Sequence, residues 1–372
     1  MPIHNLGYRT WPWKRTPSWF RWWSIAENGF RISLKLTWVK RLMFFAWLPI
    51  LYWGVGIFFY ERFVERPLGG DAINFQVEQE RPRRNQQRRR PPSLQEMLEQ
   101  AKAQSGGEMS DKLQSQVLAD FLKNRFSFLP MSNNLAERVA SGDRSSWRVT
   151  FWTWLLMTFF RYPQATIVVF ILGYITPSLI ARDVRSRAFL LYFSRPIGRL
   201  DYMVGKLFIP AAFLALVTTL PALVLYLIGL IFSPDISALL STWDIPVRIL
   251  IASLSLILPT ASLAVMLSSM TQESRFAAFS WFAIWALGYG AYLAVIITRA
   301  ATGSVDFSEA MNDPAVVRWA PISLYNCLGQ VQTWIFGFDT FANSWPCVLT
   351  LILITVVSLA LFFRNISKSV HA

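Results

Sequence analysis

Few residues in this chain have the type and spacing to do chemistry. The only two histidines, His4 and His371, stand near opposite ends of the 372-residue sequence. That placement speaks against a histidine-based metal site and against a serine–histidine hydrolase. No G-x-x-x-x-G-K-[ST] run occurs, so the chain has no phosphate-cradling loop of its own. Two cysteines, Cys327 and Cys347, are too few for a disulfide framework or a metal cluster. They could pair if both face the outside; two unpaired small residues is the simpler reading.

One segment stands apart. Residues 181–206, ARDVRSRAFLLYFSRPIGRLDYMVGK, are charged, aromatic and proline-broken, between two long apolar runs. Asp183 and Arg187 have the i, i+4 order that favours a helical ion pair. Phe189, Tyr192 and Phe193 form an aromatic edge. Ser194-Arg195-Pro196 then ends the helix, because proline disfavours helical geometry in the residue before it. Arg199, Asp201 and Tyr202 lead into Gly205-Lys206 and the next apolar run. The pattern predicts a short amphipathic helix, a sharp turn and a re-entry, offered to a partner in water. The plainer alternative is an interfacial loop anchored by its cations.

The elements that position this segment follow from composition. The chain is 53% apolar and only 16% charged, where soluble domains carry about 25% charged residues. Charge-poor stretches of about 20 residues recur, as bilayer-spanning helices require. Six spans are expected, at 42–60, 165–180, 203–232, 247–270, 276–298 and 345–363. The fold class is an all-α polytopic membrane protein with an amphipathic N-terminal helix and a long insertion after the first span.

The domains divide accordingly. Residues 1–41 form an interfacial helix, capped by Thr16 and Pro17, with Trp19, Trp22, Trp23 and Phe30 on one face and cations around them. Asn28-Gly29 is a candidate break. Residues 61–164 form the insertion. Within it, 81–92 (RPRRNQQRRRPP) cannot bury a core. Short helices begin at Ser93, where Glu96 completes a capping box, and at Ser110. Its aromatic end, 147–160, is expected to lie in or dip into the interface. Residues 165–372 form a five-span core with a loop at 182–202 and an outer loop at 299–344. In that outer loop, 322–338 is amphipathic and is expected to fold back onto the membrane surface. Gly288 and Gly290 in the fifth span would allow close helix contact.

The net charge of +14 sits in blocks that flank spans. Such blocks set orientation and meet anionic lipid rather than nucleic acid. With the N-terminus inside, short inside segments carry 17 Lys and Arg against 3 in short outside segments. Both termini and the 182–202 loop are therefore expected in the cytoplasm. The first span, which follows some 40 basic and Trp-rich residues, reads as a retained anchor. The predicted third to sixth spans offer Thr218, Thr219, Ser253, Ser255, Thr260, Ser262 and Ser280 as polar candidates, better suited to helix–helix hydrogen bonds than to ion coupling. With no internal energy source, the chain needs an external motor or has a structural role.

The 181–206 segment resembles the cytoplasmic loop of ABC transporter permeases of the type-2 exporter class. Leu190, Leu191, Ser194, Arg195, Pro196, Ile197, Arg199, Tyr202, Gly205 and Lys206 match that family's L-L-x-S-R-P-[IL]-x-R-x-x-Y-x-x-G-K pattern. The six-span layout is similar too. The resemblance implies that Asp183, Arg185, Arg187, Phe189, Tyr192, Ser194, Arg195, Pro196, Arg199, Tyr202, Gly205 and Lys206 form a coupling helix and its exit. That helix would dock on a separate ATP-binding cassette ATPase subunit, which binds ATP and magnesium. A second permease chain, as homo- or heterodimer, completes the implied unit in the plasma (bacterial inner) membrane. The chain departs from the family at Ser186-Arg187-Ala188, where Ser-Gly-Thr is common, and at Leu190, where a glutamate is frequent. On the residues alone two rivals stay open: a membrane scaffold recruiting partners through its outer module, and an ion-coupled carrier.

Overall fold

The computed structural model describes residues 20–65, 94–104, 111–125, 132–141, 146–186, 197–233, 237–303 and 307–371. Every element among the described residues is helical. Six helices are long and apolar enough to cross a membrane: Thr37–Tyr60, Trp147–Arg185, Arg199–Phe232, Asp244–Ser269, Ser274–Gly303 and Phe341–Ser367. They are the first to sixth spans in chain order. Five overlay the expected runs and begin a few residues earlier, because helix geometry does not wait for the first apolar side chain.

The second span departs most. It runs for 39 residues, with one turn at Thr176 ahead of Pro177, about 58 Å at 1.5 Å per residue, against a hydrocarbon thickness of roughly 30 Å. The aromatic stretch expected at the interface is its first third. Ten of the residues in Trp147–Phe159 are buried. The Phe151 ring stacks on Tyr60 at 4.2 Å. Trp53 Nε1 donates to Thr158 Oγ1 at 3.0 Å, and Trp152 Nε1 to Glu61 Oε1 at 2.9 Å. These indoles spend their polar edges inside the protein instead of on head groups, which is why the stretch packs rather than floats. Glu61, just past the end of the first span, is 1% exposed in this contact. Pro163 lies in the turn Phe160–Gln164, which is wound as a π-helix. A proline cannot donate to the preceding turn, and the wider winding absorbs the lost bond without ending the helix.

The N-terminal helix Arg21–Leu34 runs through Asn28-Gly29 without a break. A Cβ on Gly29 would collide with the side chain of Ile209, so this glycine serves close approach to the third span. Trp22 and Trp23 pack on Phe208 at 5.3 and 5.6 Å, and Phe30 on Phe213 at 4.5 Å. The rings expected among lipid tails thus meet the third span. Thr16, Pro17 and Trp19 lie outside the described residues, as do residues 81–92, Ser93 and Ser110.

In the insertion, helices Leu94–Gln104 and Asp111–Arg125 form as expected, and a further helix, Ser132–Ser141, joins them. Leu118, Leu122, Leu135 and Val139 are buried in one cluster with Trp147 and Phe151. The module is therefore packed against the start of the second span. In the outer loop, helix Leu324–Ile335 does not lie on a surface. Eight of its residues are buried, because fourth, fifth and sixth spans surround it. Gly288 allows that approach: a Cβ there would lie 3.1 Å from the Ile322 carbonyl. Gly290 has open space around it. Cys327 and Cys347 are both free and buried, with Cys327 Sγ donating to the Cys347 carbonyl at 3.2 Å.

Candidate functional site: a polar clasp at the ends of two spans

The second span ends at Arg185 and the third begins at Arg199. Between those ends lies the charged segment. Its two flanks are joined by a cluster of polar contacts. Asp183, in the last turn of the second span, accepts from Tyr202 Oη at 2.7 Å and pairs with Lys206 Nζ at 2.7 Å. Lys206 Nζ also donates to the Leu179 carbonyl at 2.9 Å and stands 5.6 Å from the centre of the Tyr202 ring. Tyr202 and Lys206 are i, i+4 and so share one face of the third span. That face is turned to the second span, and both residues are buried.

The chemistry explains the choice of residues. A carboxylate at a helix C-terminus faces the negative end of the helix dipole. Lys206 offsets that charge and also satisfies a carbonyl near the helix end. In a buried setting each partner requires the other, since either charge alone would be stranded in an apolar surround.

Two more contacts hold the second span's end. Ser268 of the fourth span reaches into its backbone, where Pro177 interrupts the ladder. Its Oγ accepts from the Ile180 and Ala181 N–H groups, both at 3.2 Å, and donates to the Pro177 carbonyl at 3.0 Å. Arg185 pairs with Glu273, at the turn into the fifth span, at 3.5 Å. That pair is exposed and contributes little. At the other flank, Asp201 Oδ2 accepts from the Gly198 N–H at 2.9 Å, starting the third span cleanly. A Cβ on Gly205 would lie 2.8 Å from the Trp22 carbonyl and 2.9 Å from Ile25 Cβ. The glycine before Lys206 is thus where the N-terminal helix crosses.

Of the twelve residues expected to form the coupling element, Asp183, Arg185, Arg199, Tyr202, Gly205 and Lys206 lie among the described residues. Asp183, Tyr202 and Lys206 are brought together; Arg185 points to Glu273 and Gly205 to the N-terminal helix. Arg187, Phe189, Tyr192, Ser194, Arg195 and Pro196 lie outside the described residues. Asp183 pairs with Lys206, which comes from the start of the next span; its expected partner Arg187 lies outside the described residues. Sequence reasoning missed Ser268 and this pairing. A usable signal existed: a lysine at the start of an apolar run needs a partner, and Asp183 is a nearby acid.

The helices and the clasp define a polytopic all-α membrane protein in which two spans are locked together around a charged loop. A family model described as ABC-2 family transporter protein matches residues 23–366. The chain belongs to that family, and it is a multi-pass membrane permease component of an ABC transporter. No curated protein matches it significantly. The family match favours the transport reading over the scaffold and the ion-coupled carrier.

Proposed function

We propose that this chain is the membrane-spanning subunit of an exporter whose energy comes from ATP hydrolysed on a separate ATP-binding cassette subunit. The ATPase docks on the segment between Asp183 and Arg199, on the cytoplasmic side, with both termini on that side and the spans in the plasma (bacterial inner) membrane. ATP and magnesium are bound by the partner. This chain, a second permease chain as homo- or heterodimer, and two ATPase subunits form the working unit.

The observation that carries this reading is the buried link of Asp183 to Tyr202 and Lys206. A loop that merely anchored the chain would need no clasp at its base. A loop that receives a push does, since the clasp makes both flanking spans move as one rigid element. The test is transport in proteoliposomes containing this chain and its ATPase. Accumulation that follows ATP and ignores an ionophore supports the reading. Transport that collapses with the ionophore and continues without ATP contradicts it.

A further inference from the structure

At the end of the bundle remote from Asp183, a cavity of about 790 Å³ opens between the second, fifth and sixth spans and the outer loop. Its size falls within the range of small-molecule sites, roughly 300–1,000 Å³. Arg161 lines it. This residue sits on the π-wound turn Phe160–Gln164, 22 residues and thus about 33 Å along the helix before Asp183. Such single wide turns are frequent at functional sites. Opposite it stands Gly329, where a Cβ would lie 2.9 Å from Arg161 Nη1. The bare backbone there makes room for the guanidinium.

The charges in the cavity are unequally used. Arg161 Nη1 donates to Thr333 Oγ1 at 3.1 Å. Among the described residues no carboxylate lies within ion-pair distance of Arg161, nor of Arg318 at the rim. A guanidinium has five N–H donors, so one hydroxyl leaves most of its capacity unspent. The acid in the wall, Asp339, is occupied. It accepts from Gln330 Nε2, from Asn343 Nδ2 at 2.9 Å and from the Thr340 N–H at 2.7 Å. Among the described residues that line the cavity, the uncommitted charge is therefore positive. Around it stand Tyr289 and Tyr325, edge to face at 5.7 Å, with Leu293 and Ile296 offering apolar wall. Burial raises the Tyr325 phenol above its ordinary range, against the opposing pull of Arg161, so the hydroxyl keeps its proton and can donate.

We propose that this cavity binds an anionic amphiphile, with one phosphate or carboxylate group held by Arg161 and an apolar chain laid against the tyrosine and aliphatic walls. A purely structural tie to Thr333 needs one neutral donor, and an arginine given space by a glycine exceeds that need. Charge-assisted, bidentate contact to an oxyanion is what a guanidinium does best. Only the step from ligand to cargo rests on the exporter reading above.

The test uses the full chain in phosphatidylcholine nanodiscs, without nucleotide or ATPase, so its outcome does not depend on how transport is powered. Octyl phosphate, octanoate and octanol are titrated by calorimetry, with empty discs subtracted. Saturable binding of octyl phosphate or octanoate at about one per chain is expected, with octanol at least tenfold weaker. The stronger of the two acids tells phosphate from carboxylate as the held group. Arg161→Gln should lower affinity about tenfold or more, and Tyr289→Ala, at the half-exposed mouth, several-fold. Octanol binding as tightly as both acids overturns the proposal, as does an Arg161→Gln protein that binds like the parent. Should Arg161→Gln fail to assemble, the acid–alcohol contrast and Tyr289→Ala decide.

Discussion

Lys206 Nζ lies 2.7 Å from Asp183 Oδ2, and the two side chains are only 9% and 15% exposed. A span end and a span start, separated by the charged loop, are thereby fastened to each other. Tyr202 adds its hydroxyl to the same carboxylate oxygen.

The clasp should show strong mutual dependence. Lys206→Met leaves Asp183 buried without its cation and is expected to cost about 3–5 kcal/mol. The double variant Lys206→Met with Asp183→Leu should regain most of that loss, because no charge is then stranded. Equilibrium unfolding in micelles measures both. A double variant no more stable than Lys206→Met alone would contradict the ion-pair account.

Gly205 tests the helix crossing. Gly205→Val puts a branched side chain where the Trp22 carbonyl and Ile25 Cβ stand within 3 Å of even a first carbon. The expected cost is about 1–3 kcal/mol. The loss should be local: faster hydrogen exchange over Arg21–Leu34, with the third span unchanged. Uniform acceleration through the bundle would mean that the crossing is not the point of strain.

Ser268 tests the grip on the backbone around Pro177. Ser268→Ala removes one hydroxyl that serves two N–H groups and one carbonyl around Pro177. About 1–3 kcal/mol should be lost, and exchange should rise at Ile180 and Ala181. Ser268→Thr, which keeps the hydroxyl, should restore much of the protection. Equal exchange in Ser268→Ala and the parent would show that the serine is a bystander.

Glu61 should prove structural. It accepts from Trp152 and faces Arg148 at 3.4 Å in a buried setting. Glu61→Ala is expected to cost about 3–5 kcal/mol by leaving Arg148 with lost compensation. Glu61→Gln keeps an acceptor for the indole and should cost less. Near-identical thermal unfolding of Glu61→Ala and the parent would contradict this.

The six spans were legible because charge-free runs of about 20 residues are a solvent requirement, independent of tertiary detail. The length of the second span was not. Arg161 and Pro163 interrupt its apolar run, and its Trp and Phe residues suit an interface as well as a core. Only the partners Tyr60, Trp53 and Glu61, some 90 to 105 positions away, decide between them. Gly29 read as a break because glycine is a poor helix former, yet its job is to admit Ile209. The loop motif was legible as a motif. The link of Asp183 to Lys206 was not, because the i, i+4 rule looks only within one helix, whereas Lys206 comes from the next span. The Leu324–Ile335 helix showed its amphipathic pattern correctly, but pattern alone does not tell a membrane surface from a bundle interior.

The measurement that bears most directly on the central claim is co-purification of the ATP-binding cassette subunit with this chain. The parent is compared with Arg195→Glu and Pro196→Ala, all quantified for membrane insertion. The account predicts that both variants insert normally and retain markedly less ATPase, with ATP-driven transport falling in step. Insertion and ATPase recovery both equal to the parent in the two variants would contradict the claim that this loop is where the motor docks.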